Sequence, residues 1–471
     1  MTPCNPQTIL FASSGSRRVE ADFSGGRVSS DAGVLLVREV AQGLRLFPRL
    51  AACFRDLRDG DRVEHPVEQL LAQRILGLAA GYEDLNDHDV LRDDALLATA
   101  AGCPDPAGEK RKRERDRGHA LAGRCTLNRL ELTPADAAVD DRYAKIVHDG
   151  EAIERLLLDL FVESFREAPA EVVLDFDATD DPIHGHQEGR FFHGYYRNYC
   201  YLPLYVFAGD QLLVARLRTA DRDASSGALD DLERIVERLR RPWPHVRIIV
   251  RGDSGFARDE IMAWCEENDV EFVLGLARNN RLVRAIGGEL EEVRRLHAAS
   301  GQPERRFKEL HYRTKKTWTR SRRVVAKAEQ LPGKQNPRFV VTSLGTEAYD
   351  ARALYENLYA ARGDMENRIK EQMQLFADRT STATMRANQL RLFFSSFAYV
   401  LLETLRRVGL EGTQLARAEC AGLRVRLLKI GAVVRVSVRR VHVAMSSVFP
   451  LQSVFRQAHA NLLAWQSHAY G

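Results

Sequence analysis

The chain has 471 residues, too many for one hydrophobic core, so two to four domains are expected. Its 45% apolar and 28% charged residues are those of a folded globular protein, and no apolar run approaches the roughly 18–20 residues of a membrane span. The net charge is a modest +4, the Met1-Thr2-Pro3-Cys4 start lacks the layout of a secretory signal, and seven cysteines without a Cys-x-x-Cys pair argue against a zinc site or disulfide framework and for a cytoplasmic compartment.

Residues 1–165 read as a mainly helical N-terminal region after a short extended start. Helical apolar spacing marks 66–82, ending near Gly81, then 89–102, which stops at Gly-Cys-Pro-Asp-Pro, then 120–132, where Thr126 is a candidate cap. The amphipathic helix 151–165 closes this region.

From 171 the period changes. EVVLDFDAT (171–179) predicts a strand, 202–209 and 211–218 a hairpin around Gly209-Asp210, 227–241 a helix, 246–252 a strand, 257–268 a helix and 270–277 a strand. Three strands, helix, strand, helix, strand is the order of a ribonuclease H-like α/β sheet, an analogy of pattern. That core spans 166–277 and resumes over 346–408, around a basic, β-leaning insertion at 278–345 whose best strands are 317–329 and 337–344. A long helix follows at 353–377, with a core stripe of Leu354, Leu358, Ala361, Met365, Ile369 and Phe376, and then a helix at 389–408, apolar nearly all round. The basic C-terminal region, 409–471, contains VVRVSVRRVHV (433–443), which reads as one strand with a basic face. Cys125 and Cys265 read as core residues.

Charge is unevenly distributed. Residues 305–327 hold ten Lys/Arg against Glu309 alone, residues 417–442 hold seven against Glu419, and residues 109–117 hold six bases and three acids. Each cluster on its own reads equally well as a solvated face; three together favour a polyanion such as DNA.

The acids are more specific. On the first strand Val173, Asp175 and Asp177 share one face, and acids have poor strand propensity. Asp253 follows directly on the 246–252 strand, at the carboxyl end where ligands gather in open α/β sheets. Tyr359, Arg362, Glu366 and Lys370 form a polar face of the 353–377 helix, distinct from its core stripe. Hard divalent cations need such anionic oxygens. His184, His186 and His193 read as a substrate-facing loop or plain surface rather than metal ligands, and Arg251 is open between a phosphate and an acid as partner.

With these residues the chain resembles a known family. LDFDATDDP (174–182), RGDSGF (251–256) and YAARGDMENRIKE (359–371) are similar to the three signature regions of DDE transposases in the insertion-sequence family numbered 1380. Tyr359, Arg362 and Glu366 also match the tyrosine–arginine–glutamate signature of the hairpin-forming group that includes the transposon-five transposase. In that signature a Lys follows the Glu by seven residues; position 373 here is Met, and Lys370 is the substitute. The resemblance implies a DDE transposase with catalytic and metal-binding Asp177, Asp253 and Glu366, Asp175 being the alternative first ligand. It further implies two Mg²⁺ ions (Mn²⁺ substituting), double-stranded DNA of terminal inverted repeats and target as partner, and a homodimer as the active form. It assigns DNA contacts to Tyr359, Arg362 and Lys370; in the insertion Trp318 is a candidate to stack on a flipped base, with Arg322 and Arg323 on phosphates, a strand-packing tryptophan being the alternative and slightly favoured reading. The rival readings are a ribonuclease H-like nuclease without strand transfer and a non-catalytic DNA-binding descendant.

Overall fold

The computed structural model describes residues 8–469, so the Met1-Thr2-Pro3-Cys4 start, with Cys4, lies outside the described residues. The chain divides into two compact units, one of residues 1–150, 374–376 and 397–471, the other of 151–373 and 377–396.

The second unit is built on a large mixed sheet. Its strands are β1 (Glu171–Ala178), β2 (Leu204–Ala208), β3 (Gln211–Arg216), β4 (Arg247–Gly252), β5 (Glu271–Leu276), β6 (Glu304–Tyr312), β7 (Arg322–Leu331) and β8 (Arg338–Thr342). They lie in the order β3-β2-β1-β4-β5-β8-β7-β6, with a two-residue strand, Lys334–Gln335, added to β7. β1, β4 and β5 are parallel, whereas β2, β3, β6, β7 and β8 join antiparallel. The alternation read along β1 is used on both faces. Val172, Leu174 and Phe176 enter the larger core with Ile248, Val250, Phe272 and Leu274, while Val173 packs with Ile249, Val273 and Val325 on the other side.

Helices α1 (Gly150–Glu163), α2 (Ala228–Arg240), α3 (Asp259–Glu267) and α5 (Gly287–Ser300) contribute buried residues to the larger core, as does the short α4 (Asn280–Ala285). Two sequence expectations change here. The 151–165 helix does not close the N-terminal region: Leu158, Phe161 and Val162 bury against the sheet, so this helix belongs to the second unit. The 278–345 stretch is neither wholly β nor a separate module. Asn279 caps α4 by accepting from the backbone of Arg281 and Leu282, and Leu282, Ile286, Leu290 and Val293, at helical spacing, fill the core. Its strands β6, β7 and β8 extend the main sheet through the β5–β8 pairing.

The predicted 353–377 helix is a composite: a short α-turn at Ala351–Ala353, a π-helical segment Leu354–Tyr359, a 3₁₀ turn Ala360–Arg362, and α6 (Gly363–Gln374). Leu354, Leu358, Met365 and Ile369 of the expected stripe are buried; Ala361 and Phe376 are only partly so.

In the first unit the helix Val67–Ala80 ends on Gly81, whose left-handed φ of 100° suits a glycine cap. The predicted 89–102 helix splits into His88–Leu91 and Ala95–Ala100 because Asp94 caps a new start, accepting from the backbone of Leu96 and Leu97. Gly123, not Thr126, precedes the helix Arg124–Glu131. The N- and C-terminal stretches, read as separate regions, join here: Val28–Ser29 pairs with Ala432–Ser437, and Lys429 and Tyr82 both bond Asp31. The expected single strand 433–443 is a hairpin of Ala432–Ser437 and Arg440–Met445. Val438, which continues the apolar alternation, sits fully exposed at its turn. Among the described residues no helix is long and apolar enough to cross a membrane, and no disulfide forms. Cys265 is buried as expected, but Cys125 is exposed.

Candidate active site

The parallel register brings two of the acids together. Arg251 lies opposite Asp175 and Gly252 opposite Phe176, so Asp253 leaves β4 beside Asp177 on β1. The turn after β4 is tied by Gly255, whose backbone N–H donates to Asp253 Oδ1 at 2.7 Å, and by Phe256, which packs edge-on against Phe176. Glu366 comes from α6. Arg362, one turn earlier, bonds Asp177 Oδ2 and Glu366 Oε1, each at 3.2 Å. A π-helical segment immediately before Arg362 resets the helical phase, and such segments recur at functional sites.

Asp175 is placed differently. Both of its oxygens are taken by Arg251 in a bidentate pair, the Nη2–Oδ2 arm at 2.7 Å. The third arm of the same guanidinium donates to the Leu358 carbonyl at 2.6 Å. Arg251, open in the sequence between phosphate and acid, is thus a buried brace that joins β1, β4 and the residue preceding Tyr359.

Tyr359 sits over β5. A Cβ on Gly275 would lie 2.6 Å from the Tyr359 hydroxyl and 3.2 Å from the Asp253 carbonyl carbon, so only glycine admits both at this spot. Sequence reading passed over Gly275; a glycine inside a predicted strand was the available signal.

The charges are unbalanced. Burial pushes the Asp177 carboxyl up to about 6; Arg362 opposes the rise, and the negative charges of Asp253 and Glu366 add to it. Burial works against the Arg362 charge, but Asp177, Tyr359, Glu366 and Asp253 outweigh it and hold the guanidinium above its ordinary value. One cation therefore serves three carboxylates. As they stand, no three His, Cys, Asp or Glu side chains among the described residues converge as a metal cluster. Between Asp177 and Glu366 the positive charge is that of Arg362. The donor set of hard carboxylate oxygens, with a deficit of positive charge, is of the kind a hard divalent cation takes.

The remaining sequence candidates separate. Lys370 is exposed, one turn beyond Glu366. Trp318 is 4% exposed, inside the larger core and edge-on to Tyr312. It is a packing residue in the connection between β6 and β7, held against Tyr312 and Arg322. Arg322 is buried between Asp259 (2.6 Å) and Glu266 (2.7 Å), and Arg323 between Glu309 and the carbonyls of Leu344 and Tyr349. Neither guanidinium faces outward, so the expected stacking and phosphate contacts of Trp318, Arg322 and Arg323 do not fit where they lie.

Most of the 305–327 cations are likewise consumed: Arg305 pairs with Glu356, Arg306 with Glu292, Lys308 with Glu289, Arg320 with Glu266 and Lys327 with Glu329. Lys315 and Lys316, at the turn, stay exposed.

In the first unit the 109–117 cluster has another setting. It lines a cavity of about 960 Å³ with nine arginines, among them Arg58, Arg92, Arg124 and Arg142, plus Lys145, against four acids. Some are paired, as Arg58 with Asp56 and Arg124 with Asp89, but the surplus is positive.

The family described as transposase DDE domain group 1 matches residues 11–467. No curated protein matches the chain. Among solved structures, the cryo-EM structure of the piggyBac transposase synaptic complex with hairpin DNA is similar, at 11% identity and a TM-score of 0.39, over 94% of this chain and 81% of that one.

Proposed function

The chain belongs to the transposase DDE domain group 1 family, and we propose on that premise that it performs cut-and-paste transposition of an insertion sequence, with Asp177, Asp253 and Glu366 as catalytic carboxylates. One arrangement supports this above all: Arg362 bridges Asp177 and Glu366, while Asp253 adds its charge at the carboxyl ends of the adjacent parallel strands. The strand order β3-β2-β1-β4-β5 supports a ribonuclease H-like core. Segments 174–182, 251–256 and 359–371 support placement with the insertion-sequence family numbered 1380.

Asp177, rather than Asp175, is the first ligand, since Arg251 already occupies both Asp175 oxygens. Asp177, Asp253 and Glu366 would hold two Mg²⁺ or Mn²⁺ ions. Bound there, the ions would supply an activated attacking oxygen and charge neutralisation at the leaving oxygen of an in-line displacement. The chain's residues do the rest. The Arg251–Asp175 brace holds both strands and the Tyr359 turn in place, Gly275 leaves room for the Tyr359 hydroxyl, and Arg362, released from the acids, turns to the phosphate. In the first step water attacks phosphorus and a 3′-hydroxyl leaves; in the second that hydroxyl attacks a further phosphodiester. The basic cavity of the first unit suits the backbone of the inverted-repeat duplex. Cutting two ends together calls for a dimer, working on DNA in the bacterial nucleoid.

The test is cleavage and joining of DNA carrying the inverted repeats that flank the gene, in Mg²⁺ or Mn²⁺. Asp177→Asn, Asp253→Asn and Glu366→Gln should each reduce both reactions to background while the variants still bind the repeat. A variant that cuts at the parental rate overturns its assignment, and cleavage without joining makes the chain a nuclease.

A further inference from the structure

Between Asp177 and β2 the chain makes an excursion over residues 179–203 before it returns to pair with β1, Leu204 opposite Ala178 and Tyr205 opposite Asp177. The excursion therefore begins and ends at the edge where the acids stand. It folds as a three-stranded sheet of Asp181–Pro182, Asn198–Tyr201 and Phe191–His193.

Its base is fastened to the second unit. Thr380 donates to Asp181 at 2.7 Å, the Glu188 backbone N–H to the Ala383 carbonyl at 2.9 Å, and the Tyr201 hydroxyl to the Glu188 carbonyl at 2.5 Å. Gly189 lies so close to Met385 and Thr219 that a Cβ would come within 2.8 Å of both.

Its outer part is different. Phe192 and Tyr199 pair across the strands and meet edge-on with ring centroids 5.5 Å apart, and the Arg190 guanidinium lies 3.8 Å over the Tyr199 ring. Yet Phe192 is 56% exposed, Tyr199 44%, and Tyr195, at the turn, 84%. Residues 179–203 carry Arg190, Arg197 and three histidines against Asp180, Asp181 and Glu188, the two aspartates standing at the base and both arginines in the outer part. Exposed aromatic rings, one of them topped by a guanidinium, have the chemistry of a base-stacking surface. Tyr196 connects the turn to the acids: it packs against His193 and Tyr195, and burial first, then Asp180 and Asp177, pushes its hydroxyl up to about 12.

We propose that Arg190, Phe192, Tyr195 and Tyr199 form a stacking platform for unpaired nucleobases of the DNA strand being cut. This rests on the DNA-cleaving reading above. Unpaired bases are favoured over a protein partner because a guanidinium caps Tyr199 and because the excursion leaves and rejoins the sheet next to Asp177, where a strand end would lie.

The test uses the full chain and two probes: a single-stranded oligonucleotide carrying 2-aminopurine, and a blunt duplex of the same sequence. Phe192→Ala with Tyr199→Ala, and Tyr195→Ala separately, should weaken single-strand binding about tenfold and abolish quenching of the 2-aminopurine. Duplex binding and the circular dichroism spectrum should not change. Phe192→Trp and Tyr199→Phe should keep the quenching. The Asp177→Asn chain should quench like the parent, which separates this proposal from the catalytic one. Parental quenching and affinity in the alanine variants would overturn it. So would a change confined to self-association, which would make the patch a contact between copies.

Discussion

Segments 303–331 and 180–201 both belong to the second unit, and both combine cations with aromatic rings, yet they dispose of them in opposite ways. In the first, ten bases are set against three local acids, but α3, α5 and the Leu354–Tyr359 segment bring up Asp259, Glu266, Glu289, Glu292 and Glu356, and the one tryptophan goes into the core. In the second, charge is sparse and the base is tied down, yet Phe192, Tyr195 and Tyr199 remain in solvent. Charge density along a chain therefore says little about the field outside it. What counts is which carboxylates the fold delivers.

Four experiments sharpen or break this contrast. Trp318→Ala should cost the most, about 3–5 kcal/mol in urea unfolding, the usual cost of emptying a large aromatic site in a core. Any loss of DNA processing should follow that loss of folding. Tyr195→Ala should stay within about 0.5 kcal/mol of the parent. Equal stability losses at 318 and 195 would dissolve the distinction.

Asp177, Asp253 and Glu366 are the opposite case, negative charge without enough cations. Asp177 takes up its proton near pH 6 when folded and near 3.8 when unfolded, so the folded chain binds more protons between those values and stability falls as pH rises through that window. Asp177→Asn should therefore be more stable than the parent above pH 6 without divalent ions, by on the order of 2–3 kcal/mol, and equal to it near pH 4. Mg²⁺ should close the gap by stabilising the parent alone, and EDTA should reopen it. A pH-independent difference would mean that Asp177 is not protonated in the fold.

Arg322→Ala comes next. It leaves Asp259 and Glu266 without their shared cation, but their side chains keep 16% and 15% exposure. The cost should be on the order of 2 kcal/mol, below that of breaking a fully buried pair. The smallest effects should be on salt dependence. Arg142→Ala in the basic cavity should flatten the salt dependence of inverted-repeat binding by about one unit of slope per lost phosphate contact, whereas Arg306→Ala, already paired with Glu292, should leave it unchanged. A larger change at Arg306 would return the 305–327 segment to the DNA interface.

The sequence by itself determined the elements of the core sheet and their order from 171 to 277, because period-two apolar alternation and amphipathic helices are local signals. It also placed Asp177 at a strand end, Asp253 just past another, and Glu366 on a helix face shared with Tyr359 and Arg362. Only the tertiary structure decided the rest. The β5–β8 pairing turned the supposed insertion into sheet, and the contact of Val28–Ser29 with Ala432–Ser437 joined the two ends of the chain in one unit. Arg251 closing on Asp175 separated the two candidate acids of one strand face. Phe192 and Tyr199 were left exposed while Trp318 was enclosed. Each of these is settled by a partner distant in sequence, and a residue's neighbours in the chain do not reveal whether its charge will be paired or its ring covered.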